Sequence, residues 1–130
     1  TINELKGVDV AVETQSSGQL AIEKNSIIDD IVSLQKYTSI SDALLALSAK
    51  TVDAIIADIT YAGYLQNQNK DAYMISDESF DSEYYAIGFR KEDDDSLRDA
   101  IDAIIDDLIE DGTASEISLK WLNKDLITRP

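Results

Sequence analysis

Two short segments constrain the fold of this chain more than any others. Residues 8–13, Val-Asp-Val-Ala-Val-Glu, carry apolar side chains at the even positions with the period of a strand. Residues 52–57, Val-Asp-Ala-Ile-Ile-Ala, are mostly apolar without clean alternation, the pattern of a strand covered on both faces in a parallel sheet. Helical signals lie between and after them. Ser16 with Gln19 three residues on is a capping-box pattern and predicts a helix over 16–23. Ile27, Ile28, Ile31 and Val32 follow at helical spacing, and 34–37 reads as a second strand. A further helix opens at Ser39, with Asp42 three residues on, and carries Leu44, Leu45 and Leu47. Residues 60–66 are predicted helical and 72–75 a strand. Strands alternating with helices imply βαβ units, hence an α/β fold: a three-layer α/β sandwich around a mostly parallel sheet.

The character changes at 76–83, which is polar and acidic and reads as a connection between substructures. Beyond it, 84–90 is predicted to be a strand. Asp94 or Asp95 can cap an amphipathic helix whose apolar stripe is Leu97, Ile101, Ile104, Ile105 and Leu108, and Gly112 stops it. A last helix is predicted over 114–122. The acidic run 92–95 supplies negative charge at a helix N-terminus. The expected division is therefore a sandwich over 1–78 and a strand with two helices over 79–130.

Composition narrows the function classes. At 130 residues there is room for one compact domain and not for two. Eleven Lys and Arg against 26 Asp and Glu give a net charge of −15, which repels phosphates and argues against a nucleic-acid partner. The acidic surplus itself reads first as a solvated, solubilising face. With no Cys and no His, the chain has no disulfide, no thiolate metal site and not the commonest general base. No catalytic residue, metal site or cofactor is predicted. No apolar run approaches the roughly 20 residues of a membrane-spanning helix. The chain starts at Thr1 without an initiator Met or a signal peptide, so a native N-terminus is expected to have been removed.

Candidate binding residues cluster where strands end. Gln15-Ser16-Ser17-Gly18 lies between a strand end and a helix start, where unpaired backbone amides and the helix dipole suit an anion such as a carboxylate. From position alone, Ser at a helix start is more often only a cap. Asp58 sits at the C-terminal end of the second apolar strand, the edge of an open α/β sheet where ligands bind, and its carboxylate could pair with an ammonium group. Its commoner role is again helix capping. If the two strands are neighbours, one rim carries an anion-binding turn and a cation-binding carboxylate, matching the two ends of an amino acid. Glu13 and Gln15 would then point to the same side and are the further candidates. Tyr61, Tyr64, Tyr84, Tyr85 and Trp121 read as core or interface residues.

Across nearly its whole length the chain resembles the amino-acid family of bacterial type 2 periplasmic solute-binding proteins. Asn3-Glu4-Leu5-Lys6-Gly7 is similar to the Asp-Leu-Lys-Gly start of that family's second lobe, and Ser16-Ser17-Gly18 to its ligand-binding turn. Residues 43–58 resemble the stretch of alternating Ala and Leu that ends in Val-Asp-Ala, apolar residues and Asp. Tyr85-Ala86-Ile87-Gly88-Phe89-Arg90-Lys91, and Asp111-Gly112-Thr113 through Lys120-Trp121-Leu122, resemble its C-terminal signature. Each motif is degenerate, but their order and spacing agree. The resemblance implies that Asp58 binds the α-ammonium of a free amino acid and that the turn at Ser16, Ser17 and Gly18 binds its α-carboxylate. It implies that 1–78 is the second lobe and 79–130 the C-terminal remnant of the first, a hinge strand plus two helices. An Arg clamp and an aromatic wall would lie upstream of Thr1, so the chain is read as a truncated piece of the whole receptor.

The same resemblance implies a non-enzymatic role: the substrate-binding component of an ABC amino-acid importer, closing on its ligand by a hinge and docking on the membrane permease. Its expected location is extracytoplasmic, as a cell-surface lipoprotein or a periplasmic protein. Gln15 stands where the family has Gly, and Lys50-Thr51 replaces the Gly before Val-Asp-Ala; Lys50 is expected at the surface without functional cost. Glu13, at a place that can face the ligand side chain, points to a polar or basic amino acid. The helix over 95–111 presents an apolar stripe that would pack on the rest of the first lobe, and in this chain it is expected to fold back or to pair with a second copy. Two alternatives share the fold. A dehydratase of the cyclohexadienyl type would need a buried acid over a carbocyclic substrate, and none stands out. A ligand-sensing domain of a membrane receptor would need a spanning helix after Pro130.

Overall fold

The computed structural model describes residues 1–68, 72–91 and 94–128. Three parallel strands form one sheet: β1 (Asp9–Glu13), β2 (Ser33–Tyr37) and β3 (Ala54–Ile56), in the order β2-β1-β3. Val10 pairs with Leu34 on one side and Ala54 on the other, so β1 is central. Helix α1 (Ser17–Lys24) follows β1, α2 (Ile40–Ser48) follows β2 and α3 (Ile59–Gln68) follows β3.

The strand period places the core. Val10 and Val12 pack with Ile22 of α1 and with Ile27, while Ala11, between them, packs with Ala43 and Ala46 of α2 and with Val52. Successive residues of a strand point to opposite faces, so one helix covers each face and the result is three layers. Val10, Ala11, Val12 and Ile22 have no exposed surface. Burying a Val or Ile side chain fully is worth about 1.5–3 kcal/mol, so this small cluster carries much of the local stability.

Local signals explain the boundaries. Ser16 caps α1 by accepting from Gln19 N–H (3.1 Å), and Ser39 caps α2 by accepting from Asp42 N–H (3.2 Å). At the other end of α2, Thr51 N–H donates to Ala46 C=O and Lys50 N–H to Leu47 C=O. That pair of bonds is the Schellman arrangement, which requires a left-handed residue, and Lys50 takes it with φ 59°. The helical spacing of residues 27–32 yields only a 3-10 turn at Ser26–Asp29.

Two compact units divide the chain. The first comprises Thr1–Ala62 and Met74–Ser82, past the boundary expected at 78. Within it the acidic connection is anchored: Phe80 packs against the Val10–Val12 cluster, and Glu78 Oε2 accepts from Ile2 N–H (2.8 Å).

The second unit comprises Gly63–Tyr73 and Glu83–Pro130 and contains the end of α3 with α4 (Ser96–Glu110) and α5 (Thr113–Leu122). Gly112, with φ 87°, separates the last two helices as predicted. Asp94 Oδ1 accepts from Ser96 N–H (2.9 Å), whereas Asp95 occupies the cap position without a side-chain bond. Glu92 and Asp93 of the predicted acidic run lie outside the described residues. Gly63 approaches α5 so closely that a Cβ there would lie 2.5 Å from Leu122 O, and Asn67 Nδ2 donates to Lys120 C=O (2.7 Å). Ser118 is buried and tied into the turn after α5, donating to Lys124 C=O and accepting from Leu126 N–H.

Two predicted strands are absent. Residues 72–75 and 84–90 are irregular, so the sandwich is not followed by a hinge strand and two helices but by an irregular segment and two helices. Tyr84 and Tyr85 are 74% and 73% exposed and Ile87 is exposed as well, rather than lying in a core or interface. An apolar run becomes a strand only where a neighbour offers its N–H and C=O groups, and among the described residues none does so for 84–90. Likewise α4 has its predicted apolar stripe but no buried residue; Leu97 is 64% and Ile104 58% exposed. Among the described residues no helix is long and apolar enough to cross a membrane.

Candidate functional site

Parallel strands bring their C-terminal ends, and the N-termini of the helices that follow, to one edge. At that edge of the first unit lies an open cavity of ≈ 210 Å³. Its polar lining is Glu13, Ser16, Ser17, Gly18 and Asp58, and its apolar lining is Ile40, Ile56, Ala57 and Tyr61. The strands carrying Glu13 and Ala57 are neighbours, so the rim joins the turn and the carboxylate as the spacing allowed.

The turn is built by its own hydrogen bonds. Ser16 Oγ donates to Glu13 C=O (2.8 Å) while accepting from Gln19 N–H, so this hydroxyl is committed to the scaffold. Gln15 N–H donates to Gln19 Oε1 (2.8 Å). The amides of Ser17 and Gly18, at the first two positions of α1, have no acceptor among the described residues. These two N–H groups, the Ser17 hydroxyl and the positive end of α1 make the anion-facing part of the cavity. Gly18 is there for a steric reason: a Cβ would lie 3.0 Å from Ile56 O and 3.2 Å from Ile56 Cγ2. The bare backbone lets α1 approach the end of β3, and so brings the turn beside Asp58.

Asp58 is both a cap and a cavity wall. Its C=O accepts from Ala62 N–H (2.9 Å), and its Oδ1 accepts from Thr60 N–H (2.8 Å), from the Thr60 hydroxyl and from Tyr61 N–H (3.4 Å). Capping does not withdraw it from the cavity, because α3 starts on the same rim. Glu13 adds a second carboxylate to the lining. The cavity therefore offers donors at one end and negative charge elsewhere, which suits a ligand carrying both a carboxylate and a cation.

Gln15 is the sequence candidate that falls outside. It is exposed, does not line the cavity and adopts φ 63°, the left-handed conformation that Gly takes most easily. Conversely, Ile40 and Tyr61 line the cavity and were not singled out as site residues. Both occupy the first turn of a helix that follows a strand, and that position is the signal that would have found them. Among the described residues no group of three or more acidic side chains gathers as a metal site would require.

Known proteins agree with this geometry. The profile of the bacterial extracellular solute-binding proteins, family 3, matches residues 3–124. The glutamate-binding protein GluB of Corynebacterium glutamicum is 33% identical over 116 residues, 85% of this chain and 39% of that protein. An ABC uptake transporter substrate-binding protein from Streptococcus pneumoniae with bound histidine superposes with a TM-score of 0.75 at 27% identity, covering 99% of this chain and 55% of that one. A polar amino acid ABC uptake transporter substrate-binding protein from Streptococcus thermophilus gives 0.71 at 25% identity, covering 98% and 50%. This chain thus spans 39% of the curated relative and about half of the solved ones.

Proposed function

The chain belongs to the bacterial extracellular solute-binding proteins, family 3, and on that premise we propose that it supplies one wall of the ligand site of an ABC-type amino-acid importer. One observation carries the reading: a single cavity is lined by the Asp58 carboxylate and by the amides at the start of α1. Asp58 receives the α-ammonium. The amides of Ser17 and Gly18, with the Ser17 hydroxyl, receive the α-carboxylate, and Ser16 holds the turn in shape. Glu13 faces the ligand side chain and favours a polar or basic amino acid over an acidic one; preference of the whole receptor for acidic ligands would overturn that part.

In this reading residues 1–78 are the second lobe and 79–130 return to the first. The ligand is clasped between lobes and delivered to a membrane permease without chemical change. The family's name supports an extracytoplasmic setting. Whether a lipid anchor holds the protein at the cell surface or it moves freely in a periplasm is decided by sequence outside this chain. The exposed stripe of α4 supports pairing with a second copy when the chain is isolated; a compact monomer in sedimentation would remove that proposal.

A cavity of ≈ 210 Å³ is smaller than the roughly 300–1,000 Å³ of a complete ligand pocket, which fits a half-site. The isolated chain should therefore bind weakly, with Kd of about 1 mM or weaker. The test is a nuclear magnetic resonance titration with L-arginine, L-histidine, L-glutamine and L-glutamate. Shifts confined to Ser17, Gly18 and the Asp58–Tyr61 turn, and lost in Asp58→Asn, are expected. Shifts elsewhere, or none at any concentration reached, would overturn the reading, and micromolar affinity by calorimetry would overturn the half-site.

A further inference from the structure

Helix capping by Asp58 needs only amide donors, yet the side chain at the second position of α3 joins them. Thr60 donates both its N–H (2.8 Å) and its hydroxyl to Asp58 Oδ1, and Tyr61 N–H adds a longer bond (3.4 Å) to the same oxygen. A threonine hydroxyl at a helix start has other local partners to choose from, and in a helix it commonly turns back to a carbonyl. Here it turns to the carboxylate that lines the cavity. We propose that Thr60 is a positioning residue for Asp58: its hydroxyl fixes the rotamer in which that carboxylate is presented to a ligand ammonium.

The physical case is one of lost freedom. An aspartate held by amides alone can still rock about its side-chain torsions, whose terminal one is broad. The β-branched Thr60 is stiff at χ1, so a hydroxyl bond from it adds a fixed point out of line with the two amides. A carboxylate set in advance loses less entropy when it binds, which is the usual gain from preorganisation. The ligand half of this proposal rests on the amino-acid reading given above; the rotamer half does not.

The experiment uses the whole chain with Thr60→Val, which keeps shape and removes the hydroxyl, and Thr60→Ser, which keeps the hydroxyl. Without ligand, the three-bond couplings across Asp58 Cα–Cβ should report one rotamer in the parent chain and in T60S, and averaging in T60V. In titrations, T60V should weaken L-arginine by about tenfold and leave 5-guanidinopentanoate, which lacks the ammonium, unchanged; T60S should restore L-arginine to within about twofold. Should T60V not fold, Thr60→Ala takes its place with the same expectations. Couplings that are the same in T60V and the parent would overturn the proposal, as would an equal loss of both ligands, which marks a merely structural role. If the parent chain binds neither ligand, the amino-acid reading falls, and the couplings alone decide whether Thr60 sets the Asp58 rotamer.

Discussion

Strand β1 and helix α4 carry the two clearest apolar patterns in the chain and meet opposite ends. In β1 three consecutive residues, Val10, Ala11 and Val12, have no exposed surface. In α4 none of fifteen residues is buried. The strand has a neighbour on each edge and a helix against each face; the helix keeps its stripe of Leu97, Ile104 and Ile105 at least partly in water. Periodicity therefore predicts that an element forms and which face is apolar, but not that anything covers that face.

The strongest challenge to this contrast is a pair of truncations. Ile22→Ala beneath β1 should cost about 2–4 kcal/mol in urea unfolding, while Ile104→Ala in α4 should stay within about 0.5 kcal/mol. Equal losses would show that α4 is covered in solution. The second unit has its own tight point at Gly63. Gly63→Ala should cost about 1–3 kcal/mol by forcing α3 from the Leu122 carbonyl, seen as faster amide exchange in α5 with β1 unaffected. Spread of that effect into β1 would mean that the units unfold together.

Smaller effects sharpen the picture of the first unit. Lys50→Gly relieves a left-handed residue at the end of α2 and should stabilise by about 0.5–1 kcal/mol, with ligand response unchanged. The least effect concerns pH. The bond from Lys36 on β2, then that from Gln19, holds the exposed Glu23 carboxyl of α1 below its ordinary value of 4.5. Its folded-state affinity for a proton is lowered, so its small contribution is present above the ordinary value and is lost as pH falls through the lowered one. Glu23→Gln should flatten the acid side of the urea-midpoint profile slightly between about pH 5 and about pH 3. An unchanged profile would assign that pair no role in holding α1 to the sheet.

Much of the fold was legible because its signals are local. Ser16 with Gln19, Ser39 with Asp42, and Gly112 each act through bonds or dihedral preferences within a few residues, and each marks the boundary it was read to mark. The strands expected at 72–75 and 84–90 were not recoverable this way, since β-structure depends on a partner that the segment itself does not encode. The candidate site divides similarly. Ser16, Ser17, Gly18 and Asp58 were picked from strand-end positions, and Glu13 from alternation; the cavity gathers all five. Alternation failed for Gln15 because the chain leaves the strand before it and turns left-handed. Tyr61 and Ile40 were passed over because a half-buried aromatic or Ile near a helix start looks the same in sequence whether it faces a core or a cavity.

Read along the chain alone, the residues specify a parallel α/β unit, its helix caps and a rim with donors near one strand end and a carboxylate near another. Those follow from interactions spanning three or four positions and from the two side-chain periods. Packing supplied the rest. The approach of bare Gly18 to Ile56 joins the two halves of the rim, and the convergence of Thr60 and Tyr61 on one oxygen of Asp58 turns a cap into an oriented carboxylate. The first is a contact between residues 38 positions apart, and the second is a choice among hydrogen-bond partners that composition leaves open; both are settled by where neighbouring backbone comes to rest.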